Sequence, residues 1–142
     1  MAWIKKIVQD LTNKHKTNNP FELAALKNVN VIPWNLHEEI KGFYKYDKRN
    51  KYIFINNNLD ETSQKFVCAH ELGHSQLHPR VNTPFLRGNT FLSIDRIEVE
   101  ANRFAVELLI PDESLNKNYH STIYEAAATY GVPEEVIHLK QF

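Results

Sequence analysis

Cysteine is almost absent from this chain. Cys68 stands alone among 142 residues, so no disulfide can form within it, and the composition fits a reducing compartment. An excess of charge of either sign is missing too: 17 basic and 17 acidic side chains leave a formal net charge of zero. Bulk electrostatics therefore gives no reason to expect nucleic acid as the main partner, although a local patch stays open. Long apolar runs are lacking. No stretch approaches the ~18 residues of a membrane span. The opening Met1-Ala-Trp-Ile-Lys-Lys6 has neither the apolar core nor the small-residue cleavage site of a signal peptide. Repeats, low-complexity tracts and interdomain linkers are also missing. These absences leave a soluble, cytoplasmic protein with no membrane partner. It is expected to form one domain over residues 1–142, whose 42% hydrophobic content can fill one core.

Within that domain the apolar period alternates between helix and strand. Trp3, Ile4, Ile7, Val8 and Leu11 predict an amphipathic helix over 3–16. Thr17-Asn-Asn-Pro20 interrupts it, and Pro20 opens a second short helix, Phe21 to Lys27. Val29-Asn-Val-Ile32 reads as a strand stopped by Pro33. Gly42 to Tyr46 and Lys51 to Asn56, joined by the polar turn Asp47 to Asn50, predict a β-hairpin. Asp60 can cap a helix over 61–77 that Pro79 ends. Residues 79–93 carry two prolines together with Phe85, Leu86, Phe91 and Leu92. That segment is too long for a plain connector and reads as a functional or folded loop. Ile97, Ala101, Phe104, Ala105 and Leu108 form an apolar stripe on a helix over 95–110, which Pro111 stops. Two short helices, Thr122 to Tyr130 and Glu134 to Leu139, flank Gly131-Val-Pro133.

The chemistry lies in His70-Glu-Leu-Gly-His74, an H-E-x-x-H pattern placed mid-helix. Residues four apart on a helix differ by about 40° in direction, so both imidazoles can reach one ion. Glu71 points roughly 100° away, beside the ion and not onto it. There it can take a proton from the attacking water and later deliver it to the leaving amine. Zinc suits two imidazoles and one carboxylate and keeps a fourth position open.

A third ligand is needed. The metzincin spacing would require Gly at position 77 and His at 80, and these are Leu77 and Arg80. His78 lies one turn beyond His74, but the outer two of three histidines on successive turns are about 12 Å apart along the axis. His78 is therefore read as a residue supporting a ligand or closing the helix, near the negative end of its dipole. Glu98 and Glu100 on the next helix are the candidates, on opposite edges of its apolar stripe, so periodicity alone does not choose. Glu100 can form a charge ladder with Arg103 and Glu107. Glu98 lacks such a basic neighbour, and Asn102 one turn on can hydrogen-bond a ligand. Glu98 is preferred.

His70-Glu-Leu-Gly-His74, followed by Ile97-Glu-Val-Glu-Ala-Asn-Arg-Phe-Ala-Val-Glu-Leu-Leu-Ile-Pro111, resembles the ImmA/IrrE metallo-endopeptidases. That family shows a helical HELGH and then a helix reading roughly E-x-E-A-N-x-F-A-x-x-L-L-x-P. Tyr52-Ile-Phe-Ile-Asn56 and Tyr130-Gly-Val-Pro-Glu134 add to a likeness that covers about residues 20–139. The resemblance implies one Zn2+ per chain on His70, His74 and Glu98, with Glu71 as general base. It implies an α+β fold, a small thermolysin-like zincin core, with a three-stranded sheet packed on the HExxH helix and a second ligand helix. It further implies β-augmentation, an extended substrate lying along an edge strand upstream of the metal helix. Members often come from phages and mobile elements, where they cleave a helix-turn-helix repressor. An anti-repressor endopeptidase is therefore the leading expectation, and a non-cleaving repressor-binding regulator on the same fold is the alternative. An intact Glu71 favours catalysis. Two departures stand out: Cys68 occupies a place where a small residue such as alanine is more usual, and the chain ends without the sensor domain of longer relatives.

Other residues read more plainly. Cys68 points about 200° round the helix from His70, as a buried inert thiol would. Tyr119 and His120 are candidates for an oxyanion donor, with a packing or surface role as the simpler reading. His15, His37 and His138 have no ligand partners at useful spacing. The last two helices outline a helix-turn-helix. With Lys140 against Glu125, Glu134 and Glu135, they make a poor DNA reader and read as structural closure.

Overall fold

The computed structural model describes residues 2–86, 95–116 and 122–141. Its first helix, α1 (Ala2–His15), buries Ile4, Val8 and Leu11, one side chain per turn, and leaves Trp3 and Ile7 partly exposed. Asn19 caps α2 (Pro20–Leu26) by accepting from the Phe21 and Glu22 amides at 2.9 and 3.4 Å, and Pro20 takes the first-turn position where its missing N–H costs nothing.

Three strands follow: β1 (Val29–Trp34), β2 (Ile40–Asp47) and β3 (Asn50–Asn56). A fourth, β4 (Thr83–Leu86), makes the sheet order β1-β3-β2-β4. β1 lies parallel to β3, and β2 is antiparallel to both β3 and β4. β1 runs past Pro33 to Trp34, where the sequence suggested a stop. It sits at the sheet edge, so a proline can pair on one side without breaking a ladder on the other. The expected hairpin is present, and its two-residue turn holds Lys48 and Arg49 at φ 50 and 69. Both central residues at positive φ is the geometry that matches the twist of paired strands, although neither side chain favours it. β4 lies inside the segment read as a folded loop. Phe91 and Leu92 of that segment lie outside the described residues.

Asp60 accepts from the Ser63 amide at 2.7 Å and starts α3 (Glu61–Leu77) at the expected place. Phe66 to Ser75 are buried without a break. A helix is buried all round only where it is covered on both sides, and α3 packs against β2 and β3 on one side and α4 (Arg96–Leu109) on another. Gly73 allows the close approach of α4: a Cβ there would stand 3.0 Å from the Cβ of Phe104. Tyr44, Ile53, Ile55, Phe66, Leu72, Phe104 and Leu108 fill the core between sheet and helices.

After α4 come α5 (Asp112–Asn116), which the periodicity did not suggest, α6 (Ile123–Tyr130) and a 3₁₀ helix over Glu134–Leu139. Thr122 caps α6, accepting from the Glu125 amide at 3.2 Å. Gly131 ends it at φ 74, and its missing Cβ clears the Thr62 side chain at the start of α3. This segment closes the core with Ala127, Val136 and Ile137. Lys140 is turned inward between Glu107 and Asp112. Among the described residues no helix is long and apolar enough to cross a membrane.

Candidate metal centre

α3 presents His70, Glu71 and His74, each 0% exposed, with ligand atoms all within 4.8 Å of one another. The two imidazoles meet edge to face, centroids 4.8 Å apart. α4 runs alongside and brings Glu98 to them: its Oε1 is 2.6 Å from His74 Nε2 and its Oε2 is 3.5 Å from His70 Nε2. The other ring nitrogens face away. His70 Nδ1 meets Asn102 Oδ1 at 2.8 Å, and His74 Nδ1 meets His78 Nδ1 at 3.0 Å. So both Nε2 atoms turn toward one carboxylate while both Nδ1 atoms are tied behind.

Of the two candidate glutamates, Glu98 stands at the histidines. Glu100 is buried on the other edge, 2.7 Å from His78 Nε2 and 3.3 Å from Arg96 Nε. The expected surface ladder of Glu100 with Arg103 and Glu107 is replaced by three inward contacts. Glu100 holds His78, Arg103 donates to the Leu139 carbonyl at 2.9 Å, and Glu107 takes Lys140 at 2.6 Å. The reason is geometric: α4 is packed under the 3₁₀ helix as well as against α3, so the edges of its stripe are covered.

Electrostatics sets the protonation states. Burial pushes the Glu71 carboxyl well above the usual carboxylate range, and the negative charge of Glu98 pushes it further. Burial alone would raise Glu98, but hydrogen bonds and charge from His70 and His74 outweigh it and hold Glu98 at about 2. Burial lowers both His74 and His78, against the pull of Glu98 on the first and Glu100 on the second. The rings are therefore neutral near pH 7. The Cys68 thiol, fully buried, is raised by burial and then by Glu71, which keeps it inert.

These residues fit a metal ion. Glu71 Oε1 and Oε2 are both buried and have no hydrogen-bond partner among the described residues. A buried carboxylate without a donor is costly unless a cation or an ordered water answers it. Beside it lie a second carboxylate and two imidazoles with their Nε2 atoms directed inward. Nitrogen and oxygen donors converging in a dry site suit a borderline divalent ion. The 3.5 Å between His70 Nε2 and Glu98 matches two ligands about 2.0–2.1 Å from a common centre, while the 2.6 Å between His74 Nε2 and Glu98 is a hydrogen-bond distance that an ion would widen. Tyr119 and His120, the candidate oxyanion donors, lie outside the described residues.

Sequence reasoning placed His78 behind the ligands but missed what it holds. Glu100 and His78 belong to different helices, and helical spacing cannot pair them.

An α+β fold in which a helical His-x-x-x-His faces a carboxylate from the next helix defines a metallopeptidase core. The chain belongs to the M78 peptidase family: the model of the IrrE N-terminal-like domain matches residues 24–140. It is 61% identical over 139 residues to the "Uncharacterized immunity region protein 2" of Bacillus phage phi105, covering 96% of this chain and 88% of that one. It is 34% identical over 114 residues to the metallopeptidase ImmA of Bacillus subtilis strain 168, covering 80% of this chain and 67% of that one. No solved structure matches the chain.

Proposed function

We propose that this chain is a zinc-dependent endopeptidase of one domain. His70, His74 and Glu98 hold the ion, Glu71 is the general base, and the substrate is a helix-turn-helix repressor of a phage or mobile element. The observation that carries the reading is the convergence of the two Nε2 atoms on Glu98, with the buried Glu71 carboxylate left over beside them. Three groups bind and one remains to do proton work. The repressor, and with it an anti-repressor role in the cytoplasm, is supported by the immunity-region name of the phage relative and by the ImmA relative.

When bound, zinc polarises the scissile carbonyl and lowers the pKa of a water to roughly 7. The chain's own residues supply the rest. Glu71 accepts the proton of the attacking water at its carboxylate and passes it to the leaving amine, and burial raises its pKa above the ordinary carboxylate range, which makes it a stronger base. Glu98 contributes a fixed negative charge that stays ionised across the working range. Asn102 accepts from His70 Nδ1 and so fixes the ring that must present Nε2. Solvent reaches this set at Glu98, whose side chain is 12% exposed, while the other three are closed off. Substrate entry therefore requires the surroundings to open, which suits a narrow substrate and conditional cleavage.

The test mixes purified protein, zinc and the repressor encoded beside this gene, and reads fragments by mass spectrometry. Defined fragments with the wild type, absent with Glu71→Gln, are the expected result. A stable complex with no cleavage by either form, across metals, would establish the binding regulator instead.

A further inference from the structure

Behind His74 runs a buried chain of polar groups that the hydrolytic step does not use. His74 Nδ1 is 3.0 Å from His78 Nδ1, and His78 Nε2 is 2.7 Å from Glu100 Oε1. Glu100 Oε2 is 3.3 Å from Arg96 Nε. The side chains of His78 and Glu100 are 8% and 4% exposed, while that of Arg96 is 84% exposed. The chain thus begins at a buried imidazole and ends on a guanidinium in water.

Its direction follows from what each group can donate. A carboxylate only accepts, so His78 Nε2 carries the proton it gives to Glu100. A neutral imidazole has one N–H, so His78 Nδ1 is then an acceptor. His74 Nε2 stands 2.6 Å from Glu98 Oε1 and can hold a hydrogen there. Once a metal takes that hydrogen's place, the N–H that His78 accepts comes from His74 Nδ1 and the Nε2 lone pair faces the ion. That is the tautomer a metal requires. From this chain of contacts we propose that His78 and Glu100 are positioning residues for the metal, favouring the Nδ1–H tautomer of His74 that frees Nε2 for the ion. The proposal rests on the zinc reading above and adds a device to it.

Two features separate this from ordinary packing at a helix end. First, His70 and His74 are backed differently: His70 by a neutral amide, His74 through an imidazole to an anion. A carboxylate at the end of such a chain raises the basicity of the ligand it supports. Second, the chain ties α3 to α4 at a point one turn beyond His74, while Glu98 ties them at His74 itself. The two edges of α4 grip α3 on either side of the ligand, so the ring can neither rotate nor slide.

The test measures zinc affinity by competition with a chromophoric chelator in the wild type and in His78→Asn, His78→Leu and Glu100→Gln, with circular dichroism as a check on folding. Asparagine keeps an acceptor near the Nδ1 position, and leucine keeps bulk alone. His78→Leu should weaken zinc binding ~10–100-fold, the usual cost of losing a group behind a ligand, and His78→Asn should recover most of that loss. Glu100→Gln should fall between them. The visible spectrum of the Co2+ protein should shift in His78→Leu and return toward wild type in His78→Asn. Equal affinity and equal spectra for the leucine, asparagine and wild-type proteins, all folded, would overturn the proposal while leaving the zinc site intact. A wild type that binds no zinc would overturn the parent reading as well.

Discussion

Helix α4 carries a buried cluster of charge at each end, and the two are built on opposite terms. At its C-terminal end Glu107 meets Lys140 Nζ at 2.6 Å and the Gln141 amide at 2.6 Å. Lys140 also reaches Asp112 at 2.8 Å, and Lys5 reaches Asp112 at 2.9 Å. Here every carboxylate has a cation. At the N-terminal end, among the described residues, Glu98 faces two imidazoles and pairs with no lysine or arginine, and the Glu71 carboxylate beside it has no hydrogen-bond partner. A protein can bury a carboxylate cheaply only if the positive charge is supplied. The distal cluster supplies it from the chain and so acts as a clamp, fastening the C-terminal segment and α1 to α4. The proximal cluster leaves it to be supplied, and such a site asks for an ion.

Substitutions should divide along that line. Glu71→Gln preserves shape but cannot take a proton, so turnover should fall by ~10²–10⁴ or more with zinc content unchanged. Wild-type cleavage by this variant would remove Glu71 from the chemistry. His70→Ala, His74→Ala and Glu98→Ala should each strip the ion, since two protein ligands hold it far less well than three. Measured zinc stoichiometry near one in Glu98→Ala would show that Glu98 only lines the site. The clamp should answer in a different measurement. Lys140→Met leaves Glu107 buried without its cation and should cost ~3–5 kcal/mol in urea unfolding, with the zinc affinity of the folded fraction unmoved. Glu98 and Glu107 stand nine residues apart on α4, about 13 Å along the axis, far enough for independent effects. A Lys140 variant that loses zinc affinity would break the comparison.

The sequence made one cluster legible and hid the other, for a physical reason. The metal motif is local: two histidines and a glutamate within five residues of one helix have a direction that helical geometry dictates. Glu98 was preferred by elimination, because Glu100 had an evident alternative partner. That alternative was wrong in detail, since Glu100 turns inward to His78. The clamp is made of residues from α1, α4, α5 and the chain end, up to 136 positions apart, and no periodicity links Lys5 to the Gln141 carbonyl. Strand β4 was hidden for a similar reason. Its four residues include Pro84, a poor strand signal, and only pairing with β2 makes them a strand. The capped helices and the hairpin were readable because their signals lie within a few residues of each other.

The smallest effect sharpens the comparison most. Lys5 is the outer member of the clamp: its side chain is 16% exposed, its Asp112 partner is 41% exposed, and it also donates to the Gln141 carbonyl at 2.5 Å. Lys5→Met should cost only ~0.5–1 kcal/mol, as a half-exposed pair does. Asp112 is shared with Lys140, so the two lysines should couple. In the Lys140→Met background Asp112 has no other cation in the clamp, and removing Lys5 should cost more than it does alone. The pH dependence gives the sign. Burial alone would raise the Asp112 carboxyl, but the two lysines outweigh it and hold it below its ordinary value. Its contribution is therefore present at neutral pH and is lost as pH falls through that lowered folded-state pKa. Unfolding curves for wild type and Lys5→Met should lie apart at pH 7 and converge in acid. A gap that stays constant into acid would mean that Lys5 acts through the Gln141 carbonyl and its own packing, and that the clamp is held by a hydrogen bond where an ion pair was assigned.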